Sequence, residues 1–129
     1  MDDVELVRRF LDALRGRNMI KLMRLTTRDM LLSLPADSPR IGGRDHRGRM
    51  TAARALGRIM RICGGTLVIE PESFEREGGR VNVLARVTAR QGRQHLDHRM
   101  TFSFLVRSGR VAEIRETAQD LETWHAFWG

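Results

Sequence analysis

The chain has 129 residues, of which 41% are hydrophobic, and this composition is typical of a folded protein rather than a disordered one. The length suffices for one hydrophobic core but not for two, so we expect a single domain over residues 1–129. The formal net charge is +7, but the 23 basic residues are spread along the whole chain, and Lys21 is the only lysine. Tyrosine is absent and the few aromatic residues lie in apolar patterns, so we expect no nucleic-acid partner.

The sequence also lacks the usual marks of membrane insertion, secretion and cofactor binding. No apolar run approaches the roughly 20 residues that cross a bilayer, and the start, "MDDVELVRRF", is acidic, unlike a secretory signal. Cys63 is the only cysteine, so it has neither a disulfide partner nor a second thiol for a metal site. No phosphate-binding loop or dinucleotide fingerprint is present. We therefore expect a cytoplasmic protein with no membrane partner, no metal and no cofactor.

The N-terminal half has helical periodicity. Asp2 or Asp3 can cap a first helix that Gly16 ends, and Asn18 can begin a shorter second helix. "DMLLSLP" predicts a brief buried strand, and "ADSPRIGGRDHRG" predicts a loop because of its proline and glycine content. "RMTAARALGRIMRICGG" is the clearest helix, with an apolar stripe and two terminal glycines.

After residue 65 the pattern changes from helical to alternating. Four segments predict strands joined by short glycine-containing turns: "TLVIEPESFE", "RVNVLARVTAR", "QHLDHRMTFSFLVR" and "VAEIRETA". Such an arrangement is an antiparallel meander. The helices must bury their apolar stripes against this sheet, so the predicted class is α+β.

This order of elements resembles the nuclear-transport-factor-2-like superfamily, which includes ketosteroid isomerase and the SnoaL-like polyketide cyclases. "GRDHRGR" is similar to the loop before the third helix of SnoaL-like proteins, and "CGGTLVIE" to their helix-to-strand junction. "VTARQGRQHLD" resembles their basic hairpin. The most specific likeness is "GRVAEIRETAQD", followed by the terminal Phe-Trp pair.

The resemblance implies a cone-shaped half-barrel, with N-terminal helices packed on a strongly curved, mostly antiparallel sheet around one deep apolar pocket. It implies a homodimer formed through the sheet and a hydrophobic small-molecule ligand. Enzymes of the superfamily use a pocket carboxylate to isomerise or cyclise steroid- or polyketide-like substrates, or to hydrolyse epoxides. Other members only bind partners, so a non-catalytic ligand-binding or accessory domain is a second hypothesis.

Asp120 matches the aspartate that SnoaL-like cyclases use as acid and base. A carboxylate in an apolar pocket wall has a raised pKa, which suits proton transfer. The alternative is that Asp120 only caps a short helix over "LETWHAFW". His46, in the loop before the third helix, is a further catalytic candidate because histidine titrates near neutral pH.

Arg115 lies where many relatives carry tryptophan, and in the pocket it would bind an anionic group or lower the pKa of Asp120. Strand alternation groups Arg115 with Glu113, whereas Ile114 and Glu116 belong to the more apolar set that is expected to face the core. The alternation and the resemblance therefore disagree about Arg115.

A third hypothesis is an epoxide hydrolase built on Asp97 and Arg99, which share one face of a strand. A surface ion pair explains the same two residues. The pocket residues implied by the resemblance are Asp97, Arg99, Thr117, Phe102, Met60 and Trp124.

Overall fold

The computed structural model describes residues 1–129 and contains helices and strands in the predicted order. The helices are α1 (Asp3–Arg15), α2 (Met19–Arg24), α3 (Arg49–Ile62) and α4 (Leu121–Trp128). The strands are β1 (Thr26–Ser33), β2 (Asp45–Arg47), β3 (Val68–Glu77), β4 (Arg80–Gln91), β5 (Gln94–Arg107) and β6 (Arg110–Ala118). The predicted α+β class is confirmed.

All six strands form one open sheet in the order β2-β1-β6-β5-β4-β3. The run from β3 to β6 is the predicted antiparallel meander. β1 joins it in parallel beside β6, and β2 pairs with β1 in the antiparallel sense. The helices pack against one face of this mixed sheet, which gives the expected cone.

Local side-chain caps define the N-terminal helices. Asp2 accepts a hydrogen bond from the Glu5 N–H at 2.8 Å, and Asn18 accepts one from the Lys21 N–H at 3.1 Å. Each cap satisfies a backbone donor that the first helical turn leaves without a partner. The face of α1 that packs into the cone contains Leu6, Val7, Phe10, Leu11 and Ala13.

Two details differ from the sequence prediction. The segment predicted as a loop before α3 contains β2, whose His46 pairs with Leu32 of β1. Three residues are too few to produce a recognisable alternating pattern. β1 also begins three residues earlier than "DMLLSLP", directly after α2, and its last four residues are all buried. Burial on both faces removes the alternation that would have marked the whole strand.

The core lies between the helices and the inner face of the sheet. The Phe10 ring of α1 contacts the Phe104 ring of β5 edge to face, with centroids 5.5 Å apart. The inner faces of β4 and β5 contribute Val81, Val83, Ala85, Val87, Ala89, Leu96, Met100, Phe102 and Phe104. No helix is long and apolar enough to span a membrane.

Candidate functional site

A cavity remains inside the cone, between the helices and the inner face of the sheet. Its volume, counted as the space in which the centre of a water molecule can lie, is about 60 Å³. Nineteen residues line it and 18 of them are hydrophobic. They come from all parts of the fold, including Phe10 of α1, Ile59 of α3 and Trp124 of α4. A cavity of this composition favours an apolar ligand over a polar one.

Glu116 is the one ionisable residue in the cavity wall. It lies on β6 opposite Phe102 of β5, two residues after Ile114, so strand alternation directs it into the cone. Burial raises the pKa of the Glu116 carboxyl to about 8 because its charged form loses hydration and no basic partner compensates. At neutral pH this carboxyl is therefore mostly protonated, and a small change in pH or ligand changes its charge.

The C-terminal helix α4 covers one side of the cavity. Trp124 and Trp128 line the cavity, and Phe127 is buried against Trp128 with ring centroids 4.7 Å apart. Side chains from other segments hold the end of the helix. The Ser38 hydroxyl donates to the Trp128 carbonyl at 3.3 Å, and the Gln91 amide donates to the Phe127 carbonyl at 3.0 Å.

No model of a known protein family matches the sequence, and no curated protein matches it. Solved structures do match. Bal32a, from a soil-derived mobile gene cassette, is 30% identical with a TM-score of 0.91, and the match covers 98% of this chain and 95% of Bal32a. An NTF2-like protein of unknown function from Burkholderia pseudomallei is 15% identical over 99% of this chain and 98% of its own, with a TM-score of 0.87.

A protein from Jannaschia sp. CCS1, described as a SnoaL-like polyketide cyclase, is 21% identical with a TM-score of 0.78. That match covers 98% of this chain and 91% of the Jannaschia protein. The chain has the fold of these NTF2-like and SnoaL-like structures. The predicted recognition is therefore confirmed at the level of the NTF2-like fold.

In this NTF2-like chain Asp120 is the N-cap of α4. Its carboxylate accepts hydrogen bonds from the Glu122 N–H at 3.1 Å, the Thr123 N–H at 3.4 Å and the Thr123 hydroxyl at 2.8 Å. The bond from the Thr123 hydroxyl, supported by the backbone bonds, lowers the pKa of Asp120 below its usual value. Asp120 is exposed and does not line the cavity. These are the properties of the capping alternative.

Arg115 and Thr117 lie on the outer face of β6, where both are exposed. Arg115 forms an ion pair with Glu113 at 2.7 Å, and Arg80 contacts the other oxygen of the same carboxylate. Desolvation alone would raise the pKa of Glu113, but the two arginines outweigh it and lower that pKa. The position of Arg115 follows the strand alternation and differs from the pocket position that the resemblance implied.

Asp97 and Arg99 also lie on the outer face of the sheet, which differs from the expected pocket position. Asp97 pairs with Arg86 of β4 at 2.6 Å, and Arg99 pairs with Glu72 of β3 at 2.7 Å. All four side chains are exposed, and the inward positions on this part of β5 belong to Leu96, His98 and Met100. The residues of the epoxide-hydrolase hypothesis are thus joined to neighbouring strands instead of to the cavity.

The other predicted site residues have three different positions. Phe102 and Trp124 line the cavity, as expected. Met60 lies outside it, beside an adjoining space near the end of α3. His46 is buried in β2, where its Nε2 contacts the Gly43 carbonyl at 2.9 Å. It does not line the cavity either, so its proposed catalytic role stays a prediction.

His98 faces inward near the end of the sheet, and sequence reasoning assigned it no role. Its two ring nitrogens are buried without a hydrogen-bond partner. Desolvation lowers the pKa of His98, although the charges of Asp120 and Asp97 partly oppose this. His98 is not part of the cavity wall.

Glu116 was the functional candidate that the sequence analysis missed, although the alternation of the last strand had grouped it with the core-facing set. The resemblance directed attention to Asp120 instead. Burying an ionisable residue such as Glu116 among the apolar positions of a strand costs free energy, so such a residue is a candidate for a functional role.

Proposed function

We propose that this protein binds a hydrophobic small molecule in the cavity and that Glu116 transfers a proton on it. The observation that carries the proposal is a single carboxyl group in an otherwise apolar wall, with its pKa raised by burial to about 8. A catalytic acid or base works best when its pKa lies near the working pH. The reaction class is a cofactor-independent isomerisation or cyclisation of a polyketide- or steroid-like compound.

One carboxyl group limits what the reaction can be. Ionised Glu116 removes a proton from a carbon beside a carbonyl group, and the neutral carboxyl that results returns the proton to another carbon of the same conjugated system. No atom or electron is gained or lost overall, so no co-reactant is needed. The apolar wall keeps water from the intermediate.

The substrate must delocalise most of the negative charge itself, because the cavity wall has no cationic side chain. The side-chain N–H donors of the wall are the indoles of Trp124 and Trp128. We assign them to the substrate's carbonyl oxygen, since an indole N–H is a donor only. A donor aimed at a developing oxyanion lowers the barrier of such a reaction.

The test is deuterium exchange, because it detects proton abstraction without knowledge of the natural substrate. 2-Tetralone and a Δ5-3-ketosteroid, both hydrophobic cyclic ketones, are incubated with the protein in D2O, and loss of the α-proton signals is followed by NMR. We expect exchange to be faster than in buffer and to increase with pH through about 8. Glu116→Gln should reduce the acceleration by roughly a hundredfold or more.

Asp120→Asn is the matched control, because asparagine also caps helices and the substitution removes the other candidate carboxylate. It should leave the exchange rate unchanged. Unaltered exchange in Glu116→Gln, or no acceleration of either ketone by the wild type, contradicts the proposed catalysis.

A second candidate, ligand binding without turnover, is favoured by the 18 hydrophobic residues of the lining. The two tryptophans of the chain both line the cavity, so their fluorescence reports on any ligand that enters. A pure binding protein would change its tryptophan emission on addition of 2-tetralone without exchanging the ketone's protons. An enzyme would do both.

A further inference from the structure

A second space adjoins the central cavity between the end of α1 and the start of β3. We call it the vestibule. Its volume, in the same measure, is about 290 Å³, so it is larger than the central cavity. The two spaces have four wall residues in common: Leu11, Leu14, Leu67 and Ile69. The two spaces therefore adjoin each other along these four side chains.

The only charged residues that line the vestibule are arginines. Six of its nine lining residues are hydrophobic, and the other three are Arg15, Arg17 and Gly65. No carboxylate lines it, and neither arginine forms an ion pair, whereas Arg86 and Arg99 on the sheet are both paired. Two uncompensated guanidinium groups beside an apolar wall create a positive potential that favours an anion.

Arg17 follows the end of α1 in the left-handed conformation, with a φ of 53°. The Arg17 N–H donates to the Leu14 carbonyl and the Asn18 N–H to the Ala13 carbonyl, so this conformation belongs to the turn that ends the helix. The guanidinium reaches across the vestibule and donates to the Gly65 carbonyl, on the segment between α3 and β3. A Cβ atom at Gly65 would lie 2.8 Å from both terminal nitrogens of Arg17, so the absence of a side chain there gives the guanidinium its space.

Charge separates the two ends of this combined space. The central cavity has an apolar wall that would strip an anion of its hydration, and its one ionisable residue is the acid Glu116, whereas both charged residues of the vestibule are cationic. An anionic group is thus disfavoured at one end and attracted to the other. We propose that the ligand is an amphipathic anion, with an apolar ring system in the central cavity and an acidic group held in the vestibule by Arg15 and Arg17. This inference rests on the proposed function, since it assigns the substrate class of the same site.

The test compares two probes that differ only in one anionic group. 1-Anilinonaphthalene-8-sulfonate carries a sulfonate, and N-phenyl-1-naphthylamine is the same ring system without it. Quenching of Trp124 and Trp128, with energy transfer to the probe, measures binding next to the central cavity. We expect the sulfonate to bind more tightly, and Arg15→Gln or Arg17→Gln to weaken its binding by about fivefold while leaving the neutral probe unaffected.

Two controls separate a specific subsite from general attraction to a basic protein. Arg93→Gln removes the same charge from the exposed turn between β4 and β5 and should leave both affinities unchanged. Arg17→Lys keeps the charge and should retain most of the preference for the sulfonate.

Equal affinities of the two probes would overturn the inference. So would a preference for the sulfonate that Arg93→Gln reduces as much as Arg17→Gln does. Failure of both probes to quench the tryptophans would also overturn it. These outcomes leave the role of Glu116 to be judged by deuterium exchange alone. Conversely, loss of the catalytic proposal in the exchange experiment would not alter a charge preference that depends on Arg15 and Arg17.

Discussion

At the scale of single residues, the environment of Glu116 differs from that of every other carboxylate with a shifted pKa. Asp29, Glu72, Asp97 and Glu113 face arginines, and Asp120 accepts hydrogen bonds at a helix N-terminus; their pKa values are all lowered. Glu116 has only desolvation acting on it, and its pKa is raised. Proton affinity in this protein therefore depends on whether a carboxylate faces out to a cation or into the cone.

The raised pKa of Glu116 makes stability depend on pH. The folded protein keeps a proton up to about pH 8 that the unfolded chain loses near its ordinary value of 4.5, so unfolding releases this proton and is favoured as pH rises between those values. From pH 6.5 to pH 8 we expect the free energy of unfolding to fall by about 1.5 kcal/mol relative to Glu116→Gln. Urea unfolding of both proteins at several pH values measures this difference.

Between pH 6.5 and 8, the other groups with shifted pKa values do not contribute to the difference in stability between wild type and Glu116→Gln. The carboxylates with lowered pKa values affect stability only at more acidic pH. His98, whose pKa is lowered, makes both proteins more stable as pH rises to just above the ordinary histidine value of about 6.5, so its effect cancels in the difference between them. A difference between wild type and Glu116→Gln that stays constant from pH 6.5 to 8 would argue against a buried, partnerless carboxyl.

Asp120 is expected to act through α4 and not through the ligand. Asp120→Ala removes the acceptor of three hydrogen bonds and should lower the thermal midpoint by roughly 3 °C, because the first turn loses its cap. Asp120→Asn should retain most of that stability. Differential scanning calorimetry of the two variants decides the matter, and equal destabilisation by both would refute the capping role.

The site residues show how far sequence reasoning extends at this scale. Alternation along β6 correctly separated Ile114 and Glu116 from Arg115, because side chains in a strand alternate regardless of their chemistry. Matching motifs led instead to Asp120, since sequence similarity does not distinguish a carboxylate in a wall from one that caps the following helix. No signal in the sequence indicated the vestibule arginines, because Arg15 and Arg17 share a space with Gly65 only in the folded chain.

At the scale of elements, α4 is the segment that closes the cavity, and few polar contacts hold its end. We expect Gln91→Ala to remove the bond to the Phe127 carbonyl, to destabilise the protein by about 1 kcal/mol, and to speed amide exchange in the last turn of α4. Hydrogen exchange followed by NMR provides the measurement. Gln119→Ala, an exposed position before the helix, is the control; equal exchange in the two variants would show that Gln91 does not hold α4.

Most helices and strands were predictable because the periodic segments are long and because capping residues or glycine turns mark their ends. The four meander strands are each nine or more residues long, and Asn18 caps α2 as its position suggested. β2 was not predictable, and neither was the parallel pairing of β1 with β6. β2 has only three residues, and the pairing of β1 with β6 joins segments some 80 residues apart, so local patterns encode neither feature.

At the scale of the whole molecule, the outer face of the sheet is covered by cross-strand ion pairs around an exposed Leu84. We propose that this face forms a homodimer, the assembly that the resemblance implied. Light scattering at micromolar concentration should give twice the 14.8 kDa mass of the chain. Leu84→Asp should shift the protein toward the monomer, because it places a charge in the middle of the buried surface.

Ile20→Asp is the control for the dimer, since Ile20 is an exposed apolar residue on α2, away from the sheet. It should leave the mass unchanged. A wild-type protein that scatters as a monomer, or a dimer that Leu84→Asp does not affect, would rule out association through this face.

The proposed function depends on the protonation of one side chain, and NMR can observe that protonation directly. The 13C resonance of the Glu116 carboxyl, assigned by its absence in Glu116→Gln, is followed as a function of pH in the wild-type protein. We predict a titration midpoint near pH 8, because the cavity wall desolvates the carboxylate and offers it no cation. A midpoint near the ordinary glutamate value of 4.5 would contradict both the inward position of Glu116 and its proposed role in proton transfer.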